Sequence, residues 1–489
     1  MMPWLGLALL ALVGCGVIFT GLPAAVVLIA AACTGTVIGA IGGDVPVQLI
    51  GVLPERLINL LENDLLQAIP LYVLMGALIN RLPLADALYR SALAILPRGP
   101  AAPVVSGIAL GALFGPMSGS VGASVLALSR VVEPRLAASG ISLPRRAATI
   151  TVASTLGVVV PPSLVLILLG DAMLSAHTIA VTTTGRDDRV INTQDVFHGA
   201  LVPAGLYLAA CLVIAWWFNR GAKPDRAAAH DDETRPTPQQ AVMAVVTLLA
   251  IVTLLGGVAA GYFYAVEAAA MGGFVLLAAG IAGGRLPLPV LNAVLRDVLE
   301  LTGSLFFLLV AATTFTLVLR ILGTDQLISG RIAAIPGGTL TATAVVLAAI
   351  GLTALVLDAF EIIFVVVPLV APPLLIRVDD ARWVAVLILL TLQASFLNPL
   401  IGYAVMMTRT VLKERIAFVA LVRSLLPYLL AQAALLIAVL LLPQLTHVGE
   451  NTADRSRKPP VVSNEEIQRR LQEMAPPPEP VPLDGEQGR

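Results

Sequence analysis

The chain alternates between long apolar runs and short polar punctuation. Runs of about 18 to 25 apolar residues match a bilayer hydrocarbon core roughly 30 Å thick. They predict spanning helices near 3–20, 22–43, 66–80, 148–170, 198–219, 239–257, 266–283, 301–322, 383–405 and 416–443. Two further apolar stretches, 103–128 and 340–374, are interrupted by small residues or prolines and do not read as plain spans. Arginines decide the first. Arg81, Arg90 and Arg98 precede it and Arg130, Arg135, Arg145 and Arg146 follow it, and the positive-inside rule prefers both clusters in the cytoplasm. A stretch with both ends on one side is a re-entrant hairpin.

Onward, 148–170 leads out to a loop bearing Asp187, Asp188 and Asp195, and 198–219 returns to Arg220, Lys223, Arg226 and Arg235. With 340–374 as a second hairpin entered from outside, 383–405 runs inward to Arg409, Lys413 and Arg415, as the rule requires. Each half then reads span, amphipathic arm, hairpin, arm, broken span, in opposite orientations. The expected fold is an all-α polytopic membrane protein built as an inverted repeat, with two re-entrant helical hairpins and broken helices. A polar linker covers 220–238. The tail, 445–489, is rich in Pro, Glu and Arg and is expected to be disordered.

Composition agrees. Of 489 residues, 58% are hydrophobic and 12% charged, against roughly 25% charged in a soluble domain. Lys and Arg number 30 and Asp and Glu 31, a balance that offers nothing to nucleic acid. Cys15, Cys33 and Cys211 lie in apolar runs without paired spacing, so neither a disulfide framework nor a metal site is expected. "LVGC" at Leu12 to Cys15 has the look of a lipoprotein box, but no Lys or Arg precedes it, so the first span is expected to be kept.

Candidate chemistry gathers where helices break. "TLQASFLNPLIGYAV", Thr391 to Val405, carries Gln393, Ser395 and Asn398 before Pro399. Proline has no N–H, so carbonyls near Ser395 lose their helical partners; in hydrocarbon each costs several kcal/mol unless protein, ions or a wet cavity satisfies it. "ASTLGVVVPPS", Ala153 to Ser163, is its positional partner, with Ser154 and Thr155 just before Pro161-Pro162. The first hairpin tip, "GPMSGSVGAS", offers Ser118, Gly119, Ser120 and Ser124, hard oxygen donors of the type a small cation such as sodium favours. In the second hairpin, Asp358 and Glu361 stand three apart and so on one helical face. A charge there costs at least about 2.5 kcal/mol, which an incoming cation would offset. The hairpin at 114–124 is expected to partner the break at 155–163 and the hairpin at 353–361 the break at 393–402, one cation site per half. Structural alternatives stand beside these readings: a small-residue packing face at the first tip, proline kinks at the breaks, a salt bridge for the carboxylates, and an amide-binding role at a helix start for Glu267. Catalysis finds no support, because His177, His198, His230 and His447 lie away from Ser118 and Ser120 and no nucleophile elbow or Walker motif exists.

At these residues the chain resembles the large membrane (M) subunit of tripartite ATP-independent periplasmic (TRAP) transporters. The match covers about 20–440: "GLP" at Gly21 to Pro23, "AIPLYVLMGALI" at Ala68 to Ile79, "FGPMSGSVGAS" at Phe114 to Ser124, "TLGVVVPPS" at Thr155 to Ser163, "EAAAMG" at Glu267 to Gly272 and "VLDAFEIIFVVVPLVAPP" at Val356 to Pro373. "GD" at Gly170-Asp171 and "LQASFLNP" look most like the mannitol/chloroaromatic-type branch. "NPLIG" departs from the two prolines and glycine usual in the last motif.

The resemblance implies an elevator-type secondary importer in the bacterial inner membrane, multi-pass, driven by sodium as coupling ion without an organic cofactor. Its expected partners are a small four-helix membrane subunit, a periplasmic substrate-binding protein and a carboxylate-type organic anion. Residues 66–170 and 301–405 are then the transport repeats, with 1–65, 171–300 and 406–444 as scaffold. Candidate sodium or substrate contacts are Ser118, Gly119, Ser120, Ser124, Thr155, Pro161, Asp358, Gln393, Ser395, Asn398 and Gly402. The competing functions are a proton-coupled transporter of another family and, more remotely, a membrane-embedded enzyme.

Overall fold

The computed structural model describes residues 3–41, 51–62, 64–96, 99–186, 189–221, 236–399, 402–412, 414 and 416–448. Most of the 220–238 linker, the tail from 449, and Asp187, Asp188, Lys413 and Arg415 lie outside the described residues. Every regular element among them is helical. In chain order these are α1 (Pro3–Thr20), α2 (Ala24–Ile41), α3 (Leu53–Leu61), α4 (Asp64–Arg81), α5 (Leu84–Ile95), α6 (Ala102–Phe114), α7 (Val121–Val131), α8 (Glu133–Ala138), α9 (Leu143–Val159), α10 (Leu164–Thr184) and α11 (Thr193–Asn219). There follow α12 (Pro238–Ala259), α13 (Ala265–Ala282), α14 (Leu288–Ile321), α15 (Thr324–Ala333), α16 (Thr339–Thr353), α17 (Ala359–Glu361), a π turn (Ile362–Val366), α18 (Val367–Arg377), α19 (Ala381–Phe396), α20 (Tyr403–Leu412) and α21 (Phe418–Leu441).

Nine segments among the described residues are long and apolar enough to cross a membrane. The order of elements repeats. α4, arm α5, hairpin α6–α7 and broken helix α9–α10 are answered by α14, arm α15, hairpin α16–α18 and broken helix α19–α20. Arm α5 leaves α4 at 63°, turned by Pro83, and its Asp86 accepts from Arg90 and from Arg135, both at 2.7 Å. That cluster ties the arm to the chain beyond the hairpin. α9 packs against α6, α7, α20 and α21, so the end of the second half lies on the first.

Several helices extend beyond their apolar runs. α10 continues to Thr184 and closes on left-handed Gly185 (φ +65), and α11 opens five residues before its apolar run. Its start is fixed by a capping box in which Asn192 Oδ1 accepts from Asp195 N at 2.8 Å and Asp195 Oδ2 accepts from Asn192 N at 2.9 Å. Caps of this kind satisfy orphan amides with polar side chains, which an apolar pattern does not register. α14 likewise starts thirteen residues before 301. The boundaries drawn from the sequence at 170, 300 and 405 therefore fall inside α10, α14 and α20.

Glu267 takes the structural role: its Oε2 accepts from Tyr264 N at 2.9 Å at the start of α13. The glycines that follow let α13 lie close on α4, Gly272 against Met75 and Gly273 against Leu74, the close approach that helix packing in lipid rewards. At the far end of α11, Arg220 lies 3.8 Å over the Trp217 ring, an interfacial anchor at the end that the charge pattern assigns to the cytoplasm.

Arg377 closes the second hairpin's base. Its guanidinium donates to the carbonyls of Ile332 (2.6 Å), Ile335 (3.1 Å) and Gly337 (3.1 Å), serving the end of α15. Charged hydrogen bonds contribute roughly 1.5–3 kcal/mol each. Arg377→Lys, lacking the planar fork, is expected to lower the thermal midpoint of the detergent-purified chain by several degrees; an unchanged midpoint would show that one ammonium suffices.

Candidate functional site

The first hairpin tip is held by its own small residues. Ser120 N-caps α7 by accepting from Ala123 N at 3.1 Å, and Gly119 takes φ +70, a left-handed turn that suits glycine. The Ser118 Oγ lies 2.8 Å from Gly115 O, 3.1 Å from Ser120 O and 2.6 Å from Ser124 Oγ. One hydroxyl hydrogen serves these three oxygens, so the tip is rich in acceptors. Gly76 of α4 comes against the Ser118 backbone, and Gly115 meets Gly157 of α9 backbone to backbone, where a Cβ on either would collide. The tip thus docks on α9 just before its break.

At that break the Pro161–Pro162 bond is cis. The i+4 donors that Gly157 and Val158 carbonyls would use are Pro161 and Pro162, which have no N–H. Ser163 repairs half of the loss: its hydroxyl donates to Val158 O at 2.8 Å and accepts from Leu166 N at 3.1 Å, capping α10. Thr155 turns inward, donating to Val152 O at 2.9 Å; Ser154, one residue earlier, reaches the cavity described next.

A cavity of about 290 Å³ lies between the halves. The first half gives it Gly119, Ser120, Ser124, Ser154, Gly157 and Ser163. From the second half come Asp358, Glu361, Phe396 and Tyr403, and α14 adds Ser304. Asp358 and Glu361 do not form a pair along a helix face: Asp358 stands in extended conformation at the N-cap of α17, and its N–H donates to Glu361 Oε2 at 3.0 Å. No basic side chain lines this cavity among the described residues. Two carboxylates in such surroundings, with hydroxyls and, at Gly157, a helical carbonyl deprived of its i+4 N–H by Pro161, form an anionic pocket of oxygen donors.

The remaining candidates sit elsewhere. Ser395, Asn398 and Pro399 line a separate, largely apolar cavity of about 540 Å³ with α16 and α21. The Asn398 carbonyl is not left open, since it accepts from Gly402 N at 2.8 Å, and Ser395 Oγ donates to Leu392 O at 2.6 Å. Gln393 is fully buried, and neither atom of its amide has a partner among the described residues. Nearby, Gln432 of α21 donates to Leu390 O at 2.9 Å. So the second hairpin tip does meet the second break, at Gly351 and Leu355, but its carboxylates open onto the first hairpin's cavity, not onto Asn398.

Sequence reasoning missed Tyr403, Phe396 and Ser304. Tyr403 gave no signal of its own: that Gly122 of α7 leaves room for its hydroxyl, and that Thr151 donates to Thr408 at 3.1 Å further along α20, are contacts of the fold. Ser304 gave no signal either, being one serine in a long apolar run.

The family profile of the tripartite ATP-independent periplasmic transporter, DctM component, matches residues 9–445. The chain belongs to that family. This TRAP large permease is 22% identical over 399 residues to the 2,3-diketo-L-gulonate TRAP transporter large permease protein YiaN of Escherichia coli K12, covering 81% of this chain and 89% of that one. It is 24% identical over 406 residues to the ectoine/5-hydroxyectoine TRAP transporter large permease protein UehC of Ruegeria pomeroyi (81% and 86%). Identity to the C4-dicarboxylate TRAP transporter large permease protein DctM of Rhodobacter capsulatus is 28% over 230 residues, 46% of this chain and half the length of that relative. Among solved structures, the YdaH transporter of Alcanivorax borkumensis superposes with a TM-score of 0.57 at 14% identity, covering 81% of this chain and 88% of that one, a likeness of fold alone. The TRAP permease is accordingly a multi-pass inner-membrane transporter component and not an enzyme.

Proposed function

We propose that this permease imports a carboxylate-type organic anion in symport with sodium, receiving it from a periplasmic binding protein and working with a small four-helix membrane subunit. The observation that carries this reading is the cavity in which both hairpin tips and the α9–α10 break meet, with two carboxylates and, among the described residues, no basic side chain. Such a pocket favours a cation, and a bound cation in turn makes room for an anionic substrate. Relatives named for C4-dicarboxylate, 2,3-diketo-L-gulonate and ectoine all handle carboxylates.

Sodium would be held first by Ser120, Ser124, Ser154 and the Gly157 carbonyl with Asp358, with Ser118 and Gly119 shaping the tip and Thr155 and Pro161 shaping the break. A second region comprises Gln393, Ser395, Asn398 and Gly402, where the Gln393 amide, without a partner among the described residues, is the polar group that a ligand would satisfy. The two repeats, extended to the ends of their helices, move as the elevator against α1–α3, α11–α13 and α21.

The test is uptake by membrane vesicles holding the permease and both partners, loaded with the ligand that the co-encoded binding protein retains. Replacing external sodium by potassium at fixed pH is expected to lower initial uptake at least about tenfold, the loss of one cation's coupling on a 1.4 kcal/mol-per-decade scale. Uptake that survives the swap and follows a pH gradient would establish proton coupling through the same carboxylates.

A further inference from the structure

A second cavity lies further along the same elements as the first. It encloses about 230 Å³ and is lined by Asp171 and Ser175 of α10, by Thr313, Thr316 and Arg320 of α14, and by the returning arm of the second hairpin at Phe364 and Pro368. The same three elements frame both cavities in order. α10 leaves the first at Val165 and meets the second at Leu168, α14 passes from Leu308 to Leu309, and the hairpin arm from Glu361 to Ile363. From Leu308 to Arg320 α14 rises about 18 Å, away from Arg285 and Arg296, which the positive-inside rule keeps in the cytoplasm, and so toward the periplasm.

The second cavity differs in charge from the first. Arg320 lines it and makes no hydrogen bond or ion pair among the described residues, while Asp171 has a polar contact of its own. Helix α3 packs against α14 and brings a second guanidinium, Arg56. Burial first, and then the Arg320 charge, lower the Arg56 pKa, so the two cations feel one another. Like charges held together are unfavourable until an anion joins them. Arg320 reaching out to the lipid headgroups is the structural alternative, and it leaves unexplained why Thr313, Thr316 and Arg320 line one cavity.

We propose that this second cavity is an outer receiving site, where Arg320, flanked by Thr313 and Thr316, holds the carboxylate of a small organic anion before it moves on to the central cavity. The proposal rests on the organic-anion import reading. Its test needs no transport. In a chain with Cys15, Cys33 and Cys211 changed to serine, Thr316→Cys is labelled from the periplasmic face of spheroplasts with either an anionic reagent, 2-sulfonatoethyl methanethiosulfonate, or a cationic one, 2-trimethylammonioethyl methanethiosulfonate. Adding Arg320→Gln is expected to lower the anionic-to-cationic rate ratio at least about fivefold, and Arg320→Lys to preserve it, as electrostatic focusing by a fixed cation requires. Ser175→Cys should report the same shift in a variant of normal size-exclusion profile. A ratio unmoved by Arg320→Gln at both thiols, or thiols reached only from the cytoplasmic face, overturns the receiving site. An unmoved ratio beside intact sodium-driven uptake sinks this proposal alone. A shifted ratio in a chain that imports no anion would sink the import reading and leave an anion-collecting cavity.

Discussion

Replacing Gly157 by leucine should abolish the accumulation of folded permease in the membrane. At this position α9 meets the first hairpin backbone to backbone, with Gly115 opposite, and a Cβ on Gly157 runs into the Gly115 main chain. Overpacking of side chains typically costs 1–3 kcal/mol because neighbours rotate away. A main-chain neighbour has no such freedom, so the cost of Gly157→Leu is expected to exceed about 3 kcal/mol, and even Gly157→Ala should be measurably less stable. Gly205→Ala and Gly330→Ala, where nothing stands within 4 Å of the added Cβ, are the controls; both sit in helices, where alanine is preferred by up to about 1 kcal/mol. Fluorescence-detected size exclusion of detergent extracts, followed by thermal midpoints, reads all four. A wild-type midpoint for Gly157→Leu would mean that the hairpin tip does not dock on α9.

The second large effect is expected of Asp358→Asn. Asparagine keeps the shape and remains a good N-cap, so α17 should start as before. Only the charge is lost. At about 4 Å a carboxylate and a cation attract by roughly 4 kcal/mol in an environment of effective dielectric 20, and each 1.4 kcal/mol retained net of desolvation is a factor of ten in binding. The sodium concentration for half-maximal uptake is therefore expected to rise at least about tenfold, with apparent substrate affinity at saturating sodium changing less. Glu361→Gln should act more weakly, because the Glu361 carboxylate also accepts the Asp358 amide at 3.0 Å. Unchanged sodium dependence in a normally inserted Asp358→Asn protein would reduce the carboxylates to helix caps.

Much of this architecture was legible in the sequence. Apolar run lengths reveal spans because lipid forces backbone groups to pair internally. Clustered Gly, Ser and Pro mark the first hairpin tip, and proline, which cannot continue a helix, marks both breaks; the second tip, Ala354 to Asp358, holds none of the three. What stayed hidden followed from rules that an apolar pattern does not sense. α11 begins at Thr193 because of a polar capping box, and α14 begins at Leu288 although Arg296, Asp297 and Glu300 interrupt its apolarity. The site was half readable. Ser120, Ser124 and Asp358 do share one cavity, whereas Asn398, the counterpart of the Pro161-Pro162 break, lines another. Local sequence shows where a helix breaks, but which cavity a broken end faces depends on how the two halves pack, and no spacing encodes that.

α14 has 34 residues and is about 51 Å long, far beyond the roughly 30 Å needed to cross the hydrocarbon. Its middle forms a wall of the central cavity, Arg320 stands near one tip, and near the other Arg81 Nη2 meets Asp297 Oδ2 at 2.8 Å. A continuous helix this long acts as a pointer: a pivot of about 5° at its centre displaces each tip by about 2 Å. A spin label near Leu288, exposed and away from both cavities, would therefore act as a remote gauge of what happens at the midplane, magnifying displacements too small to follow at the cavity wall itself.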